Sequence, residues 1–200
     1  MIKKWEDFYR GDYSLNYLMQ NITCHLEMFK SICKEKPVKV LEVGTGTGSM
    51  PIFLSYLGFS VTSLDKSNEV LKKAEELAGK LNGKVKFVLG DAFKLPFPDD
   101  SFDLIFHQGL LEHFNDEDIL KLLAEQLRVG KKVVLSVPNN FYPEKDLGNE
   151  RLLPKKYWDK ILKEKFKLLQ SCEYNPFTKT LFGGRLIYKV RNTMYLAKIG

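Results

Sequence analysis

Residues 38–48 constrain the fold more than any other stretch of the chain. Val38, Val40, Leu41 and Val43 are apolar and mostly β-branched, the make-up of a buried strand. The run breaks off into Gly44-Thr45-Gly46-Thr47-Gly48. Glycine at every second position forces a tight turn whose backbone can lie against a ligand with no Cβ in the way. Residues 49–57 then read as a helix, with Pro51 tolerated in its first turn and Gly58 as its stop. Strand, glycine turn and helix in this order form the opening unit of a nucleotide-binding α/β fold.

The details of the turn restrict the nucleotide. A dinucleotide fingerprint places its third glycine at the sixth position, where this chain has Ser49, and Gly48 is one glycine too many. Glu42, two residues ahead of Gly44, would sit badly beside a pyrophosphate but suits a ligand that carries an amine and a sulfonium. A second strand over 59–65 closes on Asp65, 19 residues past Gly46, where an acid can accept hydrogen bonds from both ribose hydroxyls. That acid supports an adenosine ligand without choosing its class. A third strand, 85–89, ends in Gly90-Asp91-Ala92, and a proline-rich loop from Leu95 to Asp103 leads to a fourth at 102–106.

Glu-x-Gly-x-Gly-x-Gly, Asp65, Asp91-Ala92 and the loop 95–103, in that order, resemble the class I S-adenosylmethionine-dependent methyltransferases, and the resemblance covers about residues 38–137. It implies an α/β, Rossmann-like, doubly wound sheet of seven strands, mostly parallel with an antiparallel last strand and helices on both faces. It implies S-adenosylmethionine as cofactor, held by Glu42, Gly44, Thr45, Gly46, Gly48, Asp65, Lys66, Asp91, Ala92 and Gln108. In related enzymes the residue leaving the fourth strand touches the cofactor or the substrate, which makes His107 and Gln108 active-site candidates, His107 either as a cofactor or loop contact or as a general base. His113, in the Leu-Leu-Glu-His-Phe continuation, is usually structural, and neither spacing nor company suggests that it shares a metal with His107. Asn-Pro-Pro-Tyr-like motifs of nucleic-acid and protein amine methylases are replaced here by His-Gln-Gly-Leu, which points to a small-molecule acceptor at O, N or C.

Around this core the chain divides, as one domain, into a helical cap (1–36), the cofactor-binding core (37–137) and a substrate-side region (138–200). Trp5, Phe8, Tyr9 and Tyr13 precede a helix that Ser14 would cap and that Leu15 to Cys33 would fill with one apolar face. The aromatic run is either core-covering structure or a lid, with Tyr9 and Tyr13 the better lid residues. His25 within the helix reads as a surface or satisfied histidine. Further on, 132–137 is a fully buried strand, 154 opens a basic helix, and 166–174 and 193–198 fit the last two strands of the family's sheet. Residues 175–192 are open between a hairpin connection and an extra strand.

Composition narrows the partners. Residues 151–200 hold 12 Lys/Arg against 3 Asp/Glu, whereas the first 150 hold 19 against 22. A basic final quarter suits an anionic acceptor, RNA or an acidic partner, or is a solvated surface, but no RNA-binding signature accompanies it. No apolar run is long enough to span a membrane and no leader is apparent, so no membrane partner is expected. Cys24, Cys33 and Cys172 are odd in number and far apart, which reads as reduced thiols in the cytoplasm. Two other readings compete: a non-catalytic S-adenosylmethionine-binding partner subunit, and an NAD-linked oxidoreductase, which Glu42 and Ser49 disfavour.

Overall fold

The computed structural model describes residues 15–142, 147–174, 179–180, 186–187 and 194–200. Helices α1 (Leu15–Cys24) and α2 (Leu26–Lys34) precede β1 (Lys39–Val43), α3 (Ser49–Tyr56), β2 (Ser60–Asp65), α4 (Asn68–Lys80) and β3 (Val85–Leu89). After these come β4 (Leu104–Gln108), α5 (Asp116–Val129), β5 (Val133–Pro138), α6 (Lys155–Lys165) and β6 (Leu168–Tyr174). Two short strands, β7 (Lys179–Thr180) and β8 (Leu186–Ile187), lead to β9 (Met194–Ile199).

Seven of the strands form one sheet in the order β3-β2-β1-β4-β5-β9-β6. Neighbours from β3 through β5 are parallel, and β9 alone runs antiparallel, to β5 on one side and β6 on the other. This is the Rossmann-like sheet that the sequence predicts, with β7 and β8 paired as a separate ribbon in the stretch left open. The chain winds outward from β1 to β3, then returns to start β4 on the other side of β1. Connections leave the carboxyl ends of β1 and β4 in opposite directions, and a crevice opens between them.

Alternation along the strands sorts the core into two layers. Val40, Val61, Leu104 and Phe106 face α1 to α4, meeting Leu18, Ile22, Met28, Ile32, Ile52, Leu54 and Leu77. Leu41, Val43, Ile105, Val133 and Leu135 face α5 and α6, meeting Ile119, Leu122, Leu123, Trp158, Ile161 and Leu162. Each such side chain taken fully out of water contributes about 1.5–3 kcal/mol. Helix starts follow the sequence: the Ser67 hydroxyl accepts from Val70 N, and Asn115 Oδ1 accepts from Asp118 N at 2.9 Å. Glu35, just past α2, accepts from Lys132 Nζ and Lys198 Nζ at 2.5 Å each, tying the helical layer to β5 and β9.

Two expectations are corrected. The single helix from 15 to 33 is two, broken at His25, whose φ of −107° and ψ of 19° leave the helical region. Thr23 Oγ1 donates to the Met19 carbonyl at 2.8 Å, a back-bond of the kind that bends helices, just ahead of the break. The fourth strand begins and ends two residues later than 102–106, with Phe102 making only an isolated bridge to Gly130. The Ser14 cap, Trp5, Phe8, Tyr9 and Tyr13 lie outside the described residues.

Candidate active site

The glycine turn sits at the carboxyl end of β1, inside the crevice. Gly44, Gly46 and Gly48 all adopt left-handed backbone angles, with φ of 87°, 52° and 77°. Gly44 N donates to Leu64 O at 2.8 Å and Gly48 N to Thr45 O at 2.9 Å, which closes the turn. The glycines divide the work. Gly44 and Gly46 line a cavity, whereas Gly48 lies off it against α4, where a Cβ would come within 2.8 Å of Ala74 Cβ. Of the glycines assigned to cofactor contact, Gly48 is thus placed for helix packing instead.

The cavity is about 850 Å³ and runs from this turn past the ends of β2, β3 and β4. Glu42, Thr45, Asp65, Lys66, Asp91, Ala92 and Gln108 line it together with Gly44 and Gly46. Glu42 is paired across the sheet with Ser63, whose hydroxyl donates to Glu42 Oε2, and the Ser63 and Thr45 hydroxyls share a 2.7 Å hydrogen bond. Burial, with the Asp65 charge adding to it, raises the Glu42 carboxyl well above the ordinary range. Burial likewise raises Asp65, against backbone amides of Ser67, Gly46, Thr45 and Lys66 that donate to it. Neither acid has an ion-pair partner among the described residues. A buried and a half-buried carboxylate in one cavity, neither paired with a cation among the described residues, fit a ligand that brings an amine and a sulfonium. Asp91 is more exposed and takes the Phe93 amide on Oδ1 at 2.9 Å.

Tyr17, Asn21 and His25 form a further wall of the same cavity. Their spacing of four puts them on one face of α1 and its terminus. Asn21 Nδ2 donates to Ser49 Oγ at 2.9 Å, and Tyr17, whose hydroxyl is held by Thr47 and Asn21, is raised by burial. Across the opening stand His113, Phe114, Tyr142, Leu147, Asn149 and Glu150. His113 Nδ1 and Asn149 Oδ1 are 2.8 Å apart. Glu150 accepts the Leu147 and Gly148 amides at 2.5 and 2.9 Å; burial raises its carboxyl, but these amides and its own outweigh it and the net shift is downward.

His107 does not reach this cavity. Because β4 extends to Gln108, His107 is an interior strand residue opposite Leu135, and alternation turns it toward the layer of Ile105, α5 and α6. Its ring has no exposed surface, both nitrogens lack a hydrogen-bond partner among the described residues, and burial lowers its pKa to about 3. Gln108, one residue on, takes the crevice position. The wall of Tyr17, Asn21 and His25 escaped the sequence reading, although its i, i+4, i+8 polar stripe beside an apolar face was visible. Tyr142, Asn149 and Glu150 come from residues 139–153, a polar–aromatic loop that the sequence puts beside the crevice without singling any of the three out, and Glu112 comes from a short 3-10 turn, Leu111–His113.

A glycine turn under β1, acids at the ends of β1, β2 and β3, and a reversal of strand order at the crevice define a methyltransferase-type Rossmann domain. The family model described as "Methyltransferase domain" matches residues 40–132. An uncharacterized methyltransferase of Schizosaccharomyces pombe is 32% identical over 165 residues, 77% of this chain and 56% of that protein. Ajmaline N-methyltransferase of Rauvolfia serpentina is 33% identical over 120 residues, 58% of this chain and 40% of that protein. The chain thus spans about half the length of these curated relatives. In fold, the crystal structure of magnesium protoporphyrin IX methyltransferase from Synechocystis with bound S-adenosylmethionine is similar over 98% of this chain and 88% of that one, with a TM-score of 0.65 at 18% identity. The chain belongs to the class I S-adenosylmethionine-dependent methyltransferase family.

Proposed function

We propose that this protein is an S-adenosylmethionine-dependent methyltransferase acting on a small molecule that is neutral or cationic. The observation that carries the reading is the one cavity that joins the Gly44–Gly46 turn and the carboxylates Glu42, Asp65 and Asp91 to the polar wall of Tyr17, Asn21 and His25. Bound there, the cofactor would supply an electrophilic methyl carbon. Glu42 would balance its positive charge, Asp65 would accept from the ribose hydroxyls, and Asp91 with the Ala92 amide would receive the adenine. Lys66 and Gln108 stand at the two flanks of that pocket. Alignment of acceptor and methyl in a water-poor cavity can then supply most of the acceleration.

The charge of the cavity argues against the anionic acceptor that the basic final quarter suggested. Among the described residues its lining holds six carboxylates, Glu42, Asp65, Glu69, Asp91, Glu112 and Glu150, against a single lysine, Lys66. Among the described residues no helix is long and apolar enough to cross a membrane, and Cys24, Cys33 and Cys172 are free thiols, which suits a cytoplasmic enzyme. Tyr9 and Tyr13 as lid residues, and the division at 36 and 137, belong to the same reading.

Titration calorimetry with S-adenosylmethionine, S-adenosylhomocysteine and NAD tests it. Micromolar binding of the first two with NAD silent is the expected result. Silence from all three, or NAD binding alone, would overturn the assignment.

A further inference from the structure

Among the side chains of the acceptor-side wall, one has a geometry that goes beyond binding. His25 is 5% exposed and lines the cavity, yet its Nδ1 is already engaged, 2.8 Å from the Tyr174 hydroxyl on β6. Tyr174 in turn lies 2.5 Å from Ser136 Oγ on β5. Both Tyr174 and Ser136 are buried, so a chain of three neutral groups runs from the sheet to the cavity wall. Nε2 has no hydrogen-bond partner among the described residues. Nδ1 bound and Nε2 unbound, on a ring that lines a cavity, is the arrangement in which a ring nitrogen is kept as a proton acceptor by the bond its other nitrogen makes.

The geometry points to His25 as the general base of the reaction, with Tyr174 and Ser136 as positioning residues that hold its Nδ1–H tautomer, and to an acceptor that presents a weakly acidic O–H or N–H. This rests on the methyltransferase reading. In the step, the acceptor's proton passes to His25 Nε2 and its electron pair stays on the acceptor atom. That atom bonds to the methyl carbon as the carbon–sulfur pair returns to sulfur, leaving S-adenosylhomocysteine, the methylated product and an imidazolium. The new charge is met at Nδ1–H by the Tyr174 oxygen, while the tyrosine donates to Ser136, and the ring gives its proton to solvent when the cavity opens.

The electrostatics agree. Burial alone lowers the ring's pKa to about 4, so it stands neutral and ready at physiological pH. Tyr174 is raised by burial far out of the titrating range, so it stays a phenol throughout and acts by orientation only. The groups that face the imidazole from the sheet, Tyr174 and through it Ser136, bring no charge of their own. An acceptor already deprotonated, such as a carboxylate, would gain nothing from such a base and would meet the acidic lining besides.

Nitrogen-15 NMR of histidine-labelled protein, with His25→Gln to assign the signal, reads the tautomer without any acceptor or cofactor. The expected result at pH 7 is a neutral ring protonated at Nδ1, turning into a tautomer mixture in Tyr174→Phe. A ring protonated at Nε2 would overturn the proposal. With S-adenosylhomocysteine present, 4-nitrophenol serves as probe and 4-nitroanisole, which lacks the proton, as control. At about pH 5.5, where phenol and ring are both neutral, the phenol should bind at least tenfold more tightly than the anisole in the wild type and lose that preference in His25→Phe. No preference in the wild type, or an equal preference in both, would overturn it. Calorimetry with S-adenosylmethionine separates this from the reading beneath it. Equal affinity in wild type and His25→Gln is expected, and no binding to either defeats the cofactor assignment while the tautomer result stands.

Discussion

Two buried histidines, on opposite faces of one sheet, set the limits of what each environment can do. His107 lies in the layer under α5 and α6, with no exposed surface and no partner for either nitrogen. His25 lies on the α1 side with one nitrogen held by Tyr174 and the ring against the cavity. Burial lowers both, to about 3 and about 4. Burial and a depressed pKa therefore do not separate a functional histidine from an inert one; a fixed tautomer and an open approach do. His107 stood at the position from which related enzymes touch their ligands, and a strand that ends two residues later than expected was enough to leave it inside the sheet.

The comparison breaks most visibly in binding. Asp65→Ala removes the acid proposed to hold the ribose through two charge-assisted hydrogen bonds of about 1.5 kcal/mol or more each, so S-adenosylmethionine affinity should fall on the order of 100-fold by calorimetry. Neither His107→Leu nor His25→Gln should change it by more than about twofold. A large loss on His107→Leu would show that the sheet's far layer shapes the site.

Acid stability comes next. A histidine whose folded pKa lies below its unfolded value of 6.5 costs nothing above pH 6.5. Its contribution to stability is lost as pH falls from there toward the folded pKa, because the unfolded chain binds the proton first. Each ring contributes up to about 1.4 kcal/mol per pH unit in that window. Urea denaturation at pH 7 and pH 5 should show the wild type losing stability, and His107→Leu losing visibly less. An unchanged pH slope in that variant would contradict the burial of the neutral ring.

Smaller effects follow at neutral pH. His107→Leu should stabilise by about 1–2 kcal/mol, since it removes buried polar atoms that have no partner. Tyr174→Phe should destabilise by about 1 kcal/mol through its lost hydrogen bonds. Gly48→Ala should cost about 1–3 kcal/mol, because it forces a Cβ into Ala74 at a left-handed φ, and it should weaken cofactor binding only in so far as the turn shifts. Equal signs for the two aromatic-ring variants would erase the distinction between a ring with a partner and one without.

The glycine-turn end of the cavity was legible because its requirements are local. A strand, a left-handed turn and an acid at a strand's end each leave a mark within a few residues, and Glu42, Asp65, Asp91 and Gln108 all line the cavity where those marks placed them. The strand order followed from the same regularities. The surroundings of His25 were not legible, since they depend on register and on distant contacts. Tyr174 meets His25 across 149 positions of sequence, whereas Asn149 and Glu150 come from the loop 139–153 that the sequence places beside the crevice without singling them out. A helix break at Thr23–His25 likewise depends on one side chain's bond to a carbonyl, which no periodicity records.

The placement of β9 between β5 and β6 has a consequence for the order of assembly. The preceding strand, β6, cannot reach the sheet until residues 194–199 have been made and have docked on β5. Up to that moment β5 offers an unpaired edge, and Tyr174 has no fixed position from which to hold His25. The sheet from β3 to β5 can form from contacts within residues 38–138, and Tyr17 and Asn21 can bond to it through Thr47 and Ser49, whereas the hold on His25 waits for β9. A chain stalled during synthesis would therefore carry a formed crevice beside an open strand edge that invites association with other chains.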